Sequence, residues 1–218
     1  MKRPLKIYFA GDLFDARTLG GNLLLARAIE RVSAGRYRVM LPQDGESENA
    51  LRTSRNIRDA DFKLLFSCDI IVANFDGSDL DSGTVVEFCF AKMLDIPAVL
   101  IRTDFRKAGD GDLPDGEPWN LMCSHYPRTE VLNLNAMEYY HRFKNEDTAL
   151  FLNRFYNTIA QEVCSKLDKV TAVPSWLKTA DLLSAYLTAQ KAIGAEIFSG
   201  KDLQKLLEEK TGSIYSQC

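Results

Sequence analysis

Short apolar runs alternate along most of the chain with longer segments in which apolar residues recur every three or four positions. A run of about five apolar residues is typical of a buried strand, and the longer period is typical of a helix. The pattern therefore predicts strands at 5–10, 37–41, 69–75, 96–101 and 129–134. Between them it predicts a first helix that stops near Gly35, followed by helices at about 47–67, 82–94 and 148–166.

Strands that alternate with helices form parallel, doubly wound sheets. We expect residues 1–168 to form an α/β domain with a mostly parallel, five-stranded sheet of the Rossmann or flavodoxin-like type. Beyond Pro174, two further helical patterns at about 176–192 and 200–210 predict a C-terminal helical extension over residues 169–218. The amphipathic extension has two open interpretations: it packs across a subunit interface, or it covers a pocket.

The helix predicted after the third strand is apolar on nearly every side, so we expect it to be mostly buried. Its one acid, Glu87, has no cation three or four residues away. A buried carboxylate costs several kcal/mol unless it is paired or neutralised. Glu87 also lies just beyond the carboxyl end of a strand, where open α/β sheets place ligands. Glu87 is therefore the leading candidate for a functional residue.

Composition narrows the class of protein. The net charge of −3 carries no basic stripe, which argues against nucleic acid, and no apolar run is long enough to span a bilayer. We expect no signal peptide, because the N-terminus leads directly into a strand. Five scattered cysteines without Cys-x-x-Cys spacing indicate reduced thiols in a cytoplasmic protein, and the two histidines lack partners for a metal site.

The residues that follow the predicted strands favour sugar chemistry. The first strand ends in Gly11-Asp12, without the Gly-x-Gly-x-x-Gly fingerprint, which argues against a dinucleotide or a nucleoside triphosphate. Carboxylates gathered near strand ends suit a neutral, hydroxyl-rich ligand such as a nucleoside; they are Asp12, Asp44, Glu46, Asp61, Asp76, Asp79, Asp81 and Glu87. Glycosyl transfer with retention needs one carboxylate that attacks the anomeric carbon and a second acid that protonates the leaving group.

Three segments carry a resemblance to a known family. They are the opening Lys6-Ile-Tyr-Phe-Ala-Gly11, the Asp-x5-Glu spacing of Asp81 and Glu87 before an apolar helix, and Trp119-Asn-Leu-Met122. In this order and spacing the chain resembles the nucleoside 2-deoxyribosyltransferases over roughly residues 4–160. The resemblance implies transfer of 2′-deoxyribose between nucleobases, without a cofactor or a metal.

The resemblance also implies roles for individual residues. Glu87 would attack C1′ and form a covalent ester, Tyr8 would orient Glu87, and Asp61 would exchange a proton with the base. Asp81 and Asn120 would hold the 5′-hydroxyl, with Asn120 supplied by a neighbouring subunit, so that the protein is at least a dimer. The remaining substrate-binding candidates are Gly11 and Met122, which belong to the matching segments, and Asp44 and Glu46 near the base.

Each of these residues also has a purely structural interpretation. Asp81 could serve simply as the cap of its helix, Tyr8 could be a core tyrosine, and Asp61 could be a solvated helix acid. Asn120 could be a turn residue, and Glu87 could be neutralised by a distant arginine.

Two other functions stay open. One is hydrolysis of a deoxynucleoside or deoxynucleotide; the carboxylate of Asp81 disfavours a phosphate there. The other is non-catalytic nucleoside binding. Base preference is equally open, although Asp44 and Glu46 favour bases with an exocyclic amine, adenine and cytosine.

Overall fold

The computed structural model describes residues 3–45, 53–106 and 114–215. Within these residues, five strands form one sheet: β1 Leu5–Ala10, β2 Tyr37–Met40, β3 Ile70–Asn74, β4 Ala98–Arg102 and β5 Thr129–Asn133. All strand pairs are parallel, in the order β2-β1-β3-β4-β5. This flavodoxin-like order confirms the predicted fold class, and its switch point lies between β1 and β3.

Seven helices surround the sheet in the described part of the chain. They are α1 Ala16–Val32, α2 Ser54–Ser67, α3 Ser82–Met93, α4 Ala136–Phe143, α5 Thr148–Thr171, α6 Thr179–Ile193 and α7 Gly200–Tyr215. Short 3₁₀ turns lie at Pro42–Gly45 and Leu121–Cys123. None of the described helices combines the length and the apolarity that a membrane span requires.

Alternating side chains of the strands build two separate cores, because successive residues of a strand point to opposite faces. On one face, Ile7 and Phe9 of β1 pack with α1 and α5. On the other face, Tyr8 and Ala10 pack with α2, α3 and the C-terminal helices. The second face is the one that carries the candidate functional residues.

The C-terminal helices belong to this second core. Tyr186 and Ile193 of α6 and Leu203 and Leu207 of α7 are buried in it. The ring of Tyr186 packs edge-on against Phe66 of α2 at a centroid distance of 5.7 Å. Since these helices cover α2 and α3 from outside, the extension is packed onto the elements that hold Asp61 and Glu87. The division between residues 168 and 169 stays a prediction; helix α5 runs across it to Thr171.

The structure differs from the predicted pattern in two elements. Helix α4 follows β5 in a polar segment that the apolar periodicity did not predict; Asn135 caps it by accepting a hydrogen bond from Met137 N. Helix α3 is less buried than expected, because Val86 and Met93 are about half exposed (47% and 51%). An apolar helix surface therefore faces outward on the isolated chain.

A buried ion pair within the α/β domain also binds the first residues of the C-terminal extension. Arg128 Nη1 donates to Asp95 Oδ2 at 2.6 Å, and both side chains are almost fully buried. The same Asp95 oxygen accepts hydrogen bonds from Ser175 Oγ and from Trp176 N, which leads into α6. Arg128 Nε also donates to Val173 O at 3.1 Å. One pair of charges thus holds the segment that connects α5 to α6.

We predict that Arg128→Met lowers the free energy of unfolding by about 3–5 kcal/mol, since it leaves the Asp95 carboxylate buried without its cation. Urea unfolding followed by circular dichroism measures the change. Arg17, which pairs with Asp15 on the surface, is the matched control, and Arg17→Met should change stability little. Equal effects of the two substitutions would contradict a structural role for the buried pair.

Candidate active site

Helix α3 presents Glu87 on its inward face. Thr84, Phe88 and Ala91 of this helix are buried, and Glu87 lies three residues after Thr84 and four before Ala91. Residues at these spacings share one side of a helix, so the glutamate points with them towards the sheet. The alternative that a distant arginine neutralises Glu87 finds no support, because no ion pair to Glu87 forms within the described ranges.

The partner of Glu87 is Tyr8 of β1. The Tyr8 phenol donates to Glu87 Oε1 at 2.5 Å, and the tyrosine is fully buried. Because Tyr8 alternates with Ile7 and Phe9, its side chain emerges on the face that α3 covers. No other described group donates to Glu87, so Oε2 has no protein hydrogen bond. The phenol therefore fixes one carboxyl oxygen and leaves the other available.

Asp61 supplies a second carboxyl group from the neighbouring helix. It lies on α2 next to Phe62 and four residues before Leu65, both of which are buried. The negative charge of Asp61 raises the pKa values of both Tyr8 and Glu87, which places it near them. Asp61 itself is half-buried and has no ion-pair partner among the described residues.

Burial is the main cause of the raised pKa values of Glu87, Asp61 and Tyr8. It raises the pKa of Glu87 to about 7; the Tyr8 hydrogen bond lowers it, and the charges of Asp61 and Asp81 raise it further. Burial likewise raises the pKa of Asp61 to about 6. Burial, followed by the charge of Glu87, raises the pKa of Tyr8 as well, so the phenol stays protonated as a donor. Near neutral pH the two carboxyl groups thus share about one proton.

Asp81 is the cap of helix α3. Its Oδ2 accepts hydrogen bonds from Thr84 N at 2.7 Å and from Thr84 Oγ1 at 2.8 Å. The capping interpretation therefore describes a contact that exists, and one carboxyl oxygen of Asp81 is used in it. The same residue raises the pKa of Glu87, and it lines a cleft of about 520 Å³ at the carboxyl ends of β1 and β3.

Gly11 lies at the switch point between β1 and β3. A Cβ atom at this position would lie 3.2 Å from Asn74 Cβ, so the close approach of the two strand ends favours glycine. The buried Asn22 of α1 donates to Asp12 O at 2.9 Å and fixes the loop that follows. Sequence patterns did not single out Asn22, although a polar residue inside the apolar stripe of α1 is the signal that would have found it.

Asn120 and Met122 lie on an exposed turn. Asn120 Oδ1 accepts a hydrogen bond from Met122 N at 2.9 Å, as the turn interpretation expects. Both residues line an open depression together with Ser82 and Val86 at the outer side of α3. Glu87 is not among the described residues of that depression. In the isolated chain, then, these two residues adjoin the exposed surface of α3.

Of the two acids predicted to lie near the base, only Asp44 is among the described residues. Asp44 is exposed on the 3₁₀ turn Pro42–Gly45, which packs against α2 and β1, and Glu46 lies outside the described residues. The same turn holds a residue that the sequence did not reveal as functional. Gln43 Oε1 is buried without a hydrogen-bond partner in the described ranges. A buried amide oxygen of this kind is available to a ligand.

The described residues hold no cluster of three or more His, Cys, Asp or Glu side chains arranged to bind a metal ion. What the structure brings together is a phenol and two carboxyl groups with raised pKa values on β1, α2 and α3. Such a group can provide a carboxylate nucleophile and a proton donor for the same leaving group.

The chain is similar to known proteins in sequence and fold. The family described as nucleoside 2-deoxyribosyltransferase matches residues 7–153. A conserved protein from Enterococcus faecalis V583 is 27% identical, with 60% of this chain and 91% of that chain covered and a TM-score of 0.50. A 2-desoxiribosyltransferase from Leishmania mexicana is 24% identical, with 64% and 98% covered and a TM-score of 0.48. No curated protein matches significantly.

The fold and the paired acids define an α/β protein with a carboxylate site at the carboxyl edge of its sheet. The family match extends over more than half of the chain, and the chain belongs to the nucleoside 2-deoxyribosyltransferase family. The resemblance drawn from the sequence is thereby confirmed. Membership supports a nucleoside 2-deoxyribosyltransferase-like function and implies nucleosides and nucleobases as substrates. Helices α6 and α7 lie beyond the matched range.

We predict that Glu87→Gln stabilises the protein at pH 8 but not at pH 4. The folded protein keeps the Glu87 proton up to a pKa of about 7, against an ordinary value of 4.5. The free energy of unfolding therefore falls as the pH rises through this window, and the neutral amide avoids a loss of about 3 kcal/mol, since each pKa unit corresponds to about 1.4 kcal/mol. Urea unfolding at both pH values measures it.

Glu196, an exposed glutamate of the extension, is the matched control, and Glu196→Gln should show no such difference. A stabilisation by Glu87→Gln that is the same at pH 4 and pH 8 would show that ionisation of Glu87 is not the cause.

Proposed function

We propose that the protein transfers 2′-deoxyribose between nucleobases through a covalent ester on Glu87. The observation that carries this proposal is the half-buried carboxyl group of Glu87, held by the Tyr8 phenol, without a cation and beside a second acid. A carboxylate in this setting is poorly solvated, which makes it a better nucleophile than an exposed one.

In the first half of the reaction, Glu87 Oε2 attacks C1′ while the bond from C1′ to the base nitrogen breaks. The base leaves with the electron pair of that bond, and Asp61 donates a proton to it. Because the pKa of Glu87 (about 7) lies above that of Asp61 (about 6), the proton of the pair lies mainly on Glu87, and the reactive form, with Glu87 ionised and Asp61 protonated, is the less populated one. The raised pKa of Asp61, about 6, supports its role as the proton donor.

In the second half, an incoming base attacks C1′ of the ester and the carboxylate of Glu87 departs. Asp61 now accepts the proton that the new base loses, so the two halves mirror each other. Inversion at each step gives retention at C1′. Tyr8 donates to Glu87 throughout and stabilises its ionised form, because its hydrogen bond lowers the pKa of the glutamate.

Asp81 and Asn120 would hold the 5′-hydroxyl of the sugar. The cap of α3 uses Asp81 Oδ2, which leaves Oδ1 to accept from a hydroxyl group. Gly11 would let the sugar approach the backbone at the switch point, and Met122 would cover it. Gln43, Asp44 and Glu46 are the residues assigned to the base, and acids at its edge favour adenine and cytosine over thymine.

Nucleosides fit this site better than nucleotides. The carboxylate of Asp81 would repel a phosphate near the 5′ position. The arginines that line the adjacent cleft already serve carboxylates: Arg17 pairs with Asp15, and Arg106 pairs with Asp104. Both pairs are local and leave little positive charge for a phosphate. These contacts favour transfer from nucleosides over the alternative, hydrolysis of deoxynucleotides.

We predict that the protein exchanges bases between a deoxynucleoside and a different free base, and that Glu87→Ala lowers the rate by about 10³-fold or more. Chromatography of deoxyinosine incubated with adenine, cytosine or thymine measures exchange. A 2-fluoro nucleoside analogue should leave an adduct on Glu87 that mass spectrometry detects.

Glu138→Ala, an exposed glutamate of α4, controls for removal of a carboxylate as such. Normal exchange by Glu87→Ala would contradict the ester mechanism. Faster turnover of a deoxynucleotide than of the nucleoside would favour the hydrolase, and binding without any adduct would favour a non-catalytic module.

We also propose that two subunits share each active site. Supporting this, Asn120 and Met122 are exposed beside an apolar surface of α3 formed by Val86 and Met93. A second copy of the chain that covers this surface would remove the half-exposed side chains of Val86 and Met93 from water, which favours association. The turn with Asn120 would then meet the neighbouring subunit.

We predict that mixing two impaired variants, Glu87→Ala and Asn120→Ala, restores activity. In a dimer with shared sites, hybrid molecules carry one site with both native residues, about a quarter of the native total. Exchange assays after joint refolding measure it. Glu87→Ala mixed with Asp61→Ala is the control, because both residues come from one subunit and no intact site forms. Failure of the first mixture would contradict a shared site.

A further inference from the structure

The C-terminal extension binds every cation of helix α2. This helix, which carries Asp61, contains Arg55, Arg58 and Lys63. Arg55 Nη2 donates to Gly194 O at 3.0 Å, and Arg58 Nη2 donates to Ile193 O at 3.0 Å. The ammonium group of Lys63 lies over the ring of Phe198, 5.9 Å from its centroid. The three contacts fall on the last residue of α6 and on the turn that follows it.

The end of α6 is suited to hold guanidinium groups. Gly194 adopts a left-handed conformation (φ 67°), and its N–H closes the helix on the carbonyls of Gln190 and Lys191. The last carbonyls of a helix have no partners within it and carry its partial negative charge. The carbonyls of Ile193 and Gly194 are thus free to accept from Arg58 and Arg55. The Tyr186–Phe66 contact keeps this helix end beside α2.

Arg58 is the cation that could otherwise neutralise Asp61. The two residues are three positions apart on α2, a spacing at which opposite charges form ion pairs. Instead, Arg58 donates to Asp59 Oδ1 at 2.9 Å and 2.6 Å and to the α6 carbonyl. Asp61 makes no ion pair within the described part of the chain. Arg55, six positions before Asp61, lies on a different side of the helix.

The groups on the other elements around α2 supply no replacement cation. Those elements are β1, α3 and the 3₁₀ turn Pro42–Gly45, and their charged or titratable residues are Lys6, Tyr8, Asp44, Asp81, Glu87, Cys89 and Lys92. Tyr8, Asp81 and Glu87 belong to the acidic site itself. Lys6 is exposed, and Lys92 donates to the carbonyls of Ile96 and Arg128. On the C-terminal helices, Lys210 donates to the Tyr186 hydroxyl, and Lys191, Lys201 and Lys205 are exposed. Among the described residues, the position of Arg58 therefore decides the charge next to Asp61.

We propose that the C-terminal helices hold the Arg58 guanidinium away from Asp61, so that Asp61 binds the proton it donates to the departing base more tightly than it would beside a cation. Arg58 and the α6 carbonyl are then positioning groups, which act through Asp61 and do not touch the substrate. This role of the extension rests on the proposed function of Asp61. The separation of Arg58 from Asp61 by the end of α6 can be measured without any substrate.

The test is a double-mutant cycle on the pKa of Asp61 in the full-length protein. Carbon-13 NMR follows the carboxyl group of Asp61 through a pH titration, with Asp61→Asn to assign the signal. Arg58→Gln alone should leave the pKa of Asp61 unchanged. Gly194→Val, which strains the left-handed turn and displaces its carbonyls, should lower that pKa by about 1 as Arg58 swings towards Asp61. Adding Arg58→Gln to Gly194→Val should restore it.

Arg55→Gln is the matched control, because Arg55 contacts the same helix end but cannot reach Asp61; it should not restore the pKa. An effect of Arg58→Gln that is equal in both backgrounds would overturn the proposal. If thermal unfolding shows that Gly194→Val does not fold, the milder Gly194→Ala runs the same cycle. Loss of base exchange in the native protein would contradict the proposed function alone, because the titration is independent of activity.

Discussion

The hydrogen bond from Tyr8 to Glu87 joins two elements that are distant in the sequence, β1 and α3. Strand β1 lies beside the switch point, and the two residues are 79 positions apart in the chain. Burial drives the glutamate towards its neutral form, whereas the phenol favours the carboxylate. The balance between these two effects places the pKa of Glu87 at about 7. The negative charges of Asp61 and of Asp81, the cap of α3, shift that balance further towards the neutral form.

Much of the architecture could be predicted from the sequence, because it depends on local periodicity. The five strands and the order of the main helices follow from apolar runs, and Glu87 stood out as an acid without a nearby cation. Helix α4 escaped prediction because its cap and its few apolar residues leave no long pattern. The exposure of Val86 and Met93 escaped as well, since composition shows that a surface is apolar but not what covers it.

Contacts between distant segments could not be predicted from the local periodicity of the chain. Arg58 and Arg128 each donate to one carbonyl of the extension, Ile193 O and Val173 O, and no spacing within the chain indicates these contacts. Gln43 is another example, because only the packing of its turn against α2 and β1 shows that its amide oxygen is buried. The roles of individual site residues came from resemblance to a family. The structure adds the acidity and the charge environment that such a comparison lacks.

The ion pair between Asp95 and Arg128 also has a consequence for synthesis of the chain. Domains form as the polypeptide emerges from its N-terminus, and Ser175, Trp176 and α6 are made after every strand of the sheet. Until they arrive, the outer sides of α2 and α3 expose aromatic surface, including Phe66, and Asp95 lacks part of its hydrogen bonding. The nascent α/β domain therefore exposes apolar surface to water until the extension has been made and packs onto it.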